Sequence, residues 1–195
     1  MINLAGIFLI LCKKMLKQLG NFSDAETELL NNSLRKTYLD KNEILVAEGE
    51  VSKSVYFVVK GSFYQFFNNL DREEEVITDL HIDNEWMFNG ESLINQIPSK
   101  AAIMSFEQSE VLELTLEHLH RLIAVSQKFL QFNKLFNLSH SKMVFYDGNL
   151  NPAEKYDYIL KTKPRLLQVF PLTMIASYLK IRPETLSRVR ANVII

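Results

Sequence analysis

The chain has 195 residues, 47% hydrophobic and 23% charged, which leaves room for one large domain or a mid-sized domain plus a small one. With 13 Phe and 7 Tyr there is too much to bury for a disordered chain, while a single cysteine, Cys12, excludes a disulfide scaffold and any cluster needing several thiolates. The net charge of -1 hides a gradient of +5 over residues 151–195 against -6 over the rest, and that partition predicts two modules with different partners.

Residues 2–11 are apolar and are followed by Lys13 and Lys14. The run is too short to span a bilayer. It has neither a basic stretch before it nor a small-residue cleavage site after it, as a secretory signal requires. We therefore expect a buried or partner-packed first segment, no membrane association and, with one cysteine, a reducing cytoplasm. Residues 13–38 read as helix, with Ser23 as N-cap and Glu26 at capping-box distance.

From Glu43 the apolar residues fall in short runs of near period two, at 43–48, 55–59, 62–67, 75–80, 101–106 and 110–115. Turn signals separate them: Gly49, Gly61, Asn68-Asn69, Asp83-Asn84 and Gly90. This predicts an antiparallel sandwich, barrel or jelly roll, not a parallel α/β sheet. The acidic run from Asp71 to Glu75 reads as a hairpin tip kept soluble by charge.

Beyond Thr115 the period lengthens. Leu122, Val125, Phe129, Phe132, Phe136, Met143 and Tyr146 follow steps of three and four residues. Such a stripe suits a dimer-forming helix over 121–147, and equally a helix packed on its own sandwich. Asp147-Gly148-Asn149 breaks it, and Asn151-Pro152 restarts the chain, the clearest domain boundary in the sequence. Four short helices follow, the first from Pro152 to about Thr162 and the others opening near Pro164, Pro171 and Pro183.

Within 172–189, Ile175, Leu179, Ile181, Leu186 and Val189 are apolar and Ala176 is small, the set that two short helices need to cross closely in a helix-turn-helix. The second helix carries Arg182, Glu184, Thr185, Ser187, Arg188 and Arg190. Arg can grip guanine O6/N7 bidentately and Glu can accept from cytosine N4. The competing reading is a solvated helix with a Glu184–Arg188 pair.

The stretch from Pro152 to Arg190, with Glu184-Thr185-Leu186-Ser187-Arg188 as its E-T-x-S-R run, resembles the C-terminal domain of the Crp/Fnr family of bacterial transcription regulators. The resemblance extends backward over nearly the whole chain, with Gly49, Gly61 and Gly90-Glu91 matching turn glycines and the start of the effector pocket. It implies an α+β chain: a cyclic-nucleotide-binding-like antiparallel β jelly roll over 1–120, a dimerisation helix and hinge over 121–149, and an all-α, winged-type helix-turn-helix over 150–195. It further implies a cytoplasmic homodimer that binds a two-fold symmetric site on double-stranded DNA, works with RNA polymerase and answers to an unknown small effector. By that resemblance Glu184, Ser187 and Arg188 are the principal base readers, with Arg182, Thr185 and Arg190 nearby on bases or phosphates.

Three departures from the family pattern matter. Lys180 stands where the tight turn usually carries Gly, which predicts modest strain or an altered turn. Seven residues after Arg188 leave little or no wing. In the pocket, Gly90 and Glu91 are present and Ala101-Ala102 resembles the small residues beside the phosphate, but Lys100 stands where nucleotide binders have Arg. Lysine binds phosphate as a point charge without the bidentate grip, so cyclic AMP is not the expected ligand, and no cofactor is assigned.

Other chemistries find no footing. His81, His118, His120 and His140 are haem ligands only by residue type, and no phosphate loop, nucleophile elbow or H-E-x-x-H pattern marks an enzyme. The alternative function is a small-molecule or cyclic-nucleotide binding module with a vestigial DNA-binding domain.

Overall fold

The computed structural model describes residues 4–69, 74–136 and 150–193. Two helices come first, α1 (Leu4–Lys17) and α2 (Asp24–Ser33). Ser23 and Glu26 form the expected capping box: the Ser23 hydroxyl accepts from the Glu26 N–H, and the Glu26 carboxylate accepts from the Ser23 N–H at 2.7 Å. The expected helix over 13–38 is corrected here. Gly20 lies in the break after α1, and Arg35–Leu39 is a strand, β1, paired antiparallel with the last strand. Cross-strand ion pairs Arg35–Glu113 and Lys36–Glu110 hold this edge strand in register.

The sandwich continues through β2 (Ile44–Val46), β3 (Ser54–Lys60), β4 (Ser62–Asn69), β5 (Glu74–Ile82), β6 (Trp86–Met87), β7 (Ala102–Ser105) and β8 (Ser109–Thr115), with helix α3 (Gly90–Asn95) between β6 and β7. The strands form two four-stranded antiparallel sheets, ordered β1-β8-β3-β6 and β2-β7-β4-β5. All six sequence-read strands are present; β1 and the two-residue β6 are additional. Gly61 makes the β3–β4 turn at φ +98, and a Cβ there would lie 2.2 Å from the Ser109 Oγ, so only glycine fits.

The alternation of β3 shows why its sequence is apolar throughout. Tyr56 and Val58 point between the sheets, with Phe63, Met87, Ile103 and Val111. Val55 and Phe57 point outward beneath α1, α2 and helix α4 (Leu116–Val125), among Met15, Leu19, Leu30 and Trp86. The second sheet is covered in the same way: Tyr64, Phe66, Ile77, Leu80 and Ile82 pack on the C-terminal helices. Two sheets buried on both faces leave few polar strand positions.

The helix expected over 121–147 is not continuous. α4 ends at Val125, Ser126 is extended (φ -142, ψ 120), and Gln127–Phe132 forms a 3₁₀ helix. The cause is a side-chain clamp. The Ser126 hydroxyl donates to Glu26 Oε1 at 2.7 Å, and Lys128 lies 3.6 Å from Glu26 Oε2. Leu122, Phe129 and Phe132 are buried in their own chain's core, and Phe136 packs against it. This part of the stripe therefore serves the sandwich. Val125 is exposed, and Met143 and Tyr146 lie outside the described residues, as do Asp71, His140 and the helix break at 147–149.

The C-terminal helices are α5 (Pro152–Thr162), α6 (Leu166–Val169), α7 (Leu172–Tyr178) and α8 (Pro183–Val193), close to the sequence expectation. α5 starts with an Asn151–Glu154 capping box and Pro at its first position. Among the described residues, no helix is long and apolar enough to cross a membrane.

Candidate functional site

α7 and α8 meet through a buried set of Ile175, Ala176, Leu179 and Leu186, with Ile181 and Val189 packed beside them. The turn between them closes as a Schellman motif. The Ile181 N–H donates to the Ala176 carbonyl and the Lys180 N–H to the Ser177 carbonyl, both at 3.0 Å. Such a turn needs one left-handed residue, and Lys180 takes that role at φ +55. The buried Lys155 of α5 donates to the Leu179 carbonyl at 3.0 Å, placing an ammonium at the C-terminal end of α7, where the helix dipole favours a cation.

With Leu186 and Val189 turned inward, about 3.6 residues per turn places Glu184, Ser187 and Arg188 on the outward face of α8. All three are exposed, as are Arg182 and Arg190. Arg190 lies on one flank and the half-buried Thr185 on the other, so the six sequence-read residues split into a central trio and flanking groups. Glu184 and Arg188 make no ion pair with each other or with other described residues. Ala191, also exposed, shares the central face and was not singled out from sequence; its only signal was the helical repeat from Glu184.

Several tail cations are engaged within the chain. Besides Lys155, Lys161 pairs with Asp157 at 2.6 Å, Lys163 with Glu85 at 2.8 Å and Arg165 with Asp83 at 2.6 Å. Among the described residues, the tail arginines without an ion pair are Arg182, just before α8, and Arg188 and Arg190 on it.

The second candidate site lies around α3. The Lys100 ammonium donates to Glu91 Oε1 at 2.7 Å, with both side chains at least half exposed. Gly90 opens α3, and Ala101 is buried at the start of the following segment. Asn89 does not cap α3. Its amide donates to the carbonyl of Ala101 at 3.0 Å and to the Ser99 hydroxyl at 2.5 Å. Backbone bonds from Gly49 to Ser99 and from Ser99 to Glu50, both 2.8 Å, fasten the segment to the β2–β3 loop. Structure thus brings Glu91 and Lys100 together as sequence spacing proposed, but closed on one another.

Residues 36–126 match the cyclic nucleotide-binding domain family. No curated protein sequence matches the chain. Among solved structures, the chain is similar to FixK2 from Bradyrhizobium japonicum, with 17% identity and a TM-score of 0.67 over 82% of this chain and 84% of that one. It is similar also to the Thermus thermophilus catabolite activator protein, with 17% identity and a TM-score of 0.59 over 93% and 86%. The c-di-GMP-responsive global regulator CLP from Xanthomonas campestris aligns with 13% identity and a TM-score of 0.60 over 88% and 91%. The double sheet between its two helical covers, with α3 and the Glu91–Lys100 segment between β6 and β7, contains the stretch that matches the cyclic nucleotide-binding domain family, and the chain shares the fold of these three solved proteins.

Proposed function

We propose that the chain is a sequence-specific, DNA-binding transcription regulator acting as a homodimer in the cytoplasm. The observation that carries this reading is the outward face of α8. Glu184, Ser187 and Arg188 project together, without an ion pair among the described residues, from a helix whose opposite side is fixed by Leu186 and Val189 on α7. A helix held in this way can enter the major groove, with Arg188 on guanine and Glu184 on cytosine. Arg182 and Arg190, on the turn and the flank, suit phosphates. The solved neighbours named as regulators support the same reading.

Dimerisation follows from the size of the reader. One helix of 11 residues contacts a few base pairs, and two copies on half-sites about 34 Å apart supply the rest of the specificity. Among the described residues of the stripe, Val125 is exposed and left for that contact. RNA polymerase is a partner on the same reading.

The sandwich acts as a scaffold or sensor whose effector is not cyclic AMP. Lys100 already neutralises Glu91, so a cyclic phosphate meets a paired lysine in place of a planar fork. The test is selection of bound sequences from a random duplex pool at about 150 mM salt, with and without cyclic AMP, and with Arg188→Ala as control. We expect one palindrome to be enriched without nucleotide and lost in the variant. Enrichment only with cyclic AMP overturns the pocket argument; no enrichment in either arm overturns the DNA reading.

A further inference from the structure

The C-terminal unit docks on β5 and the turn after it at three polar points. The Ile77 N–H, on the free edge of the sheet, donates to Ser177 Oγ of α7 at 2.9 Å. Arg165 holds Asp83, and Lys163 contacts both Glu85 oxygens, at 2.8 and 3.0 Å. Behind the last of these contacts lies a buried imidazole. His81, on β5, is 2% exposed. Its Nε2 is 3.4 Å from Asp79 Oδ2 and 3.2 Å from the Gln65 amide, and its Nδ1 is 3.8 Å from Glu85 Oε2. The carboxylate that anchors the C-terminal unit is thus about 1 Å short of a hydrogen bond to a buried histidine.

We propose that a proton on His81 and the ammonium of Lys163 compete for Glu85, making this contact a pH-sensitive latch between the cyclic nucleotide-binding domain and the C-terminal unit. Among the described residues, Asp79 on its own strand and Glu85 on the turn lie against the imidazole, and Lys163 from α5's C-terminal end lies against Glu85; Gln65 on β4 is neutral. Arg165 is taken up by Asp83. The Gln65 amide donates to Nε2 of the neutral ring, so the ring hydrogen sits on Nδ1, toward Glu85. A proton added at Nε2 gives up the Gln65 bond, faces Asp79 and makes the ring a cation that attracts Glu85 by charge. Glu85 then closes on Nδ1, and its hold on Lys163 lengthens. Like charge between the imidazolium and Lys163 adds to the loosening. The competition is reciprocal: whatever protonation costs the docked contact, docking costs protonation. Gln65 also donates to the Phe88 carbonyl at 3.1 Å, so the imidazole's neighbour reaches the segment that leads into α3.

The latch is read without DNA, so its failure is separate from any failure of the regulator reading. The C2–H NMR signal of His81 is followed from about pH 5 to pH 8, spanning the usual histidine range, in the full chain and in Lys163→Met. We expect a titration whose midpoint rises by about 0.5–1 pH unit in the variant, as a nearby cation is removed. Amide exchange at Ile77, corrected for its intrinsic pH dependence, reports docking. We expect about fivefold less protection at the acid end of that range than at its neutral end in the wild-type chain, with the difference gone in His81→Gln, in line with a weak coupling between sites. A His81 signal that does not titrate in this range, one with the same midpoint in Lys163→Met, or Ile77 protection indifferent to pH overturns the proposal.

Discussion

The two candidate sites each set a glutamate close to a cation, and the structure treats them oppositely. Glu91 on α3 and Lys100, nine residues on and outside the helix, close on each other at 2.7 Å. On α8, Glu184 and Arg188 are one helical turn apart and remain open among the described residues. Sequence spacing favours the second pair, because i,i+4 positions share a helix face. The difference lies in what surrounds them. Glu91 opens a six-residue helix whose flanking segment is pinned by Asn89, Ser99 and the β2–β3 loop, which brings Lys100 to it. Glu184 stands on a helix whose inward face alone is fixed. A group already neutralised has little to offer a ligand; a pair left open among the described residues can take a partner from outside the chain.

The largest effect should come from breaking the open site. On the proposed reading, Arg188→Ala removes one bidentate base contact per half-site, each worth about 1–3 kcal/mol. In a dimer that predicts a loss of about 100-fold or more in specific affinity, with non-specific binding reduced far less. Fluorescence anisotropy with the selected operator and a scrambled duplex checks this. An equal loss on both duplexes would place Arg188 on phosphate.

Legibility from sequence followed the range of the interactions. The capping box at Ser23–Glu26, the strands between Gly49 and Thr115, and α5 to α8 with their prolines were readable because each rests on neighbours within a few residues. Lys180 was readable as the strained turn position, and it is left-handed. What failed depended on distant groups. Thr37 and Tyr38 carried a β signal, but β1 exists because Glu110 and Glu113 wait on β8. The stripe through Phe129 and Phe132 gave no sign that Glu26, a hundred residues before Ser126, would clamp the chain at the end of α4. The tail charge was countable, yet only the folded chain shows Lys155, Lys163 and Arg165 turned inward to a carbonyl and two acids.

Glu26 is the limiting case of a closed carboxylate, and removing it should cost more than opening the Glu91 pair. It accepts from the Ser23 N–H and from the Ser126 hydroxyl, and these bonds hold its carboxyl down at about 2, against an ordinary 4.5. A depressed carboxyl stabilises the fold above its unfolded value, and that stability is lost as pH falls from 4.5 toward about 2. Glu26→Gln is expected to lower stability by about 2 kcal/mol, the scale of hydrogen bonds to a charged group. It should also flatten the pH dependence of urea unfolding in that window. A variant with unchanged stability would mean that Ser126 is held extended by the packing of Phe129 alone.

The closed pair at α3 can be tested by restoring the fork. Lys100→Arg supplies a planar guanidinium that can grip a cyclic phosphate while Glu91 is left for a hydroxyl. We expect cyclic AMP affinity to rise about tenfold over the wild-type chain, the value of one added charge-assisted bond, measured by titration calorimetry. No gain in Lys100→Arg would show that the Asn89–Ser99 fastening, and not the missing fork, keeps the pocket from the nucleotide.

The smallest effect concerns the turn that aims the open face. Lys180 sits at φ +55, where an L side chain costs about 1–2 kcal/mol and glycine costs nothing in sterics. Glycine gives back about 0.5–1 kcal/mol through the freedom of the unfolded chain. Lys180→Gly also forfeits whatever the lysine side chain contributes, since that side chain is not without a partner. The Schellman bonds from Lys180 and Ile181 are made by main-chain N–H groups and survive the change. The balance predicts a gain of about 0.5 kcal/mol, seen as a higher urea midpoint with an unchanged slope. If Lys180 also touches a phosphate of bound DNA, the same variant should lower the salt dependence of binding by about one unit of slope per half-site. A more stable protein with the full salt slope would show that the lysine is tolerated by the turn and unused by the DNA. A less stable one would show that its side chain outweighs the backbone strain it imposes.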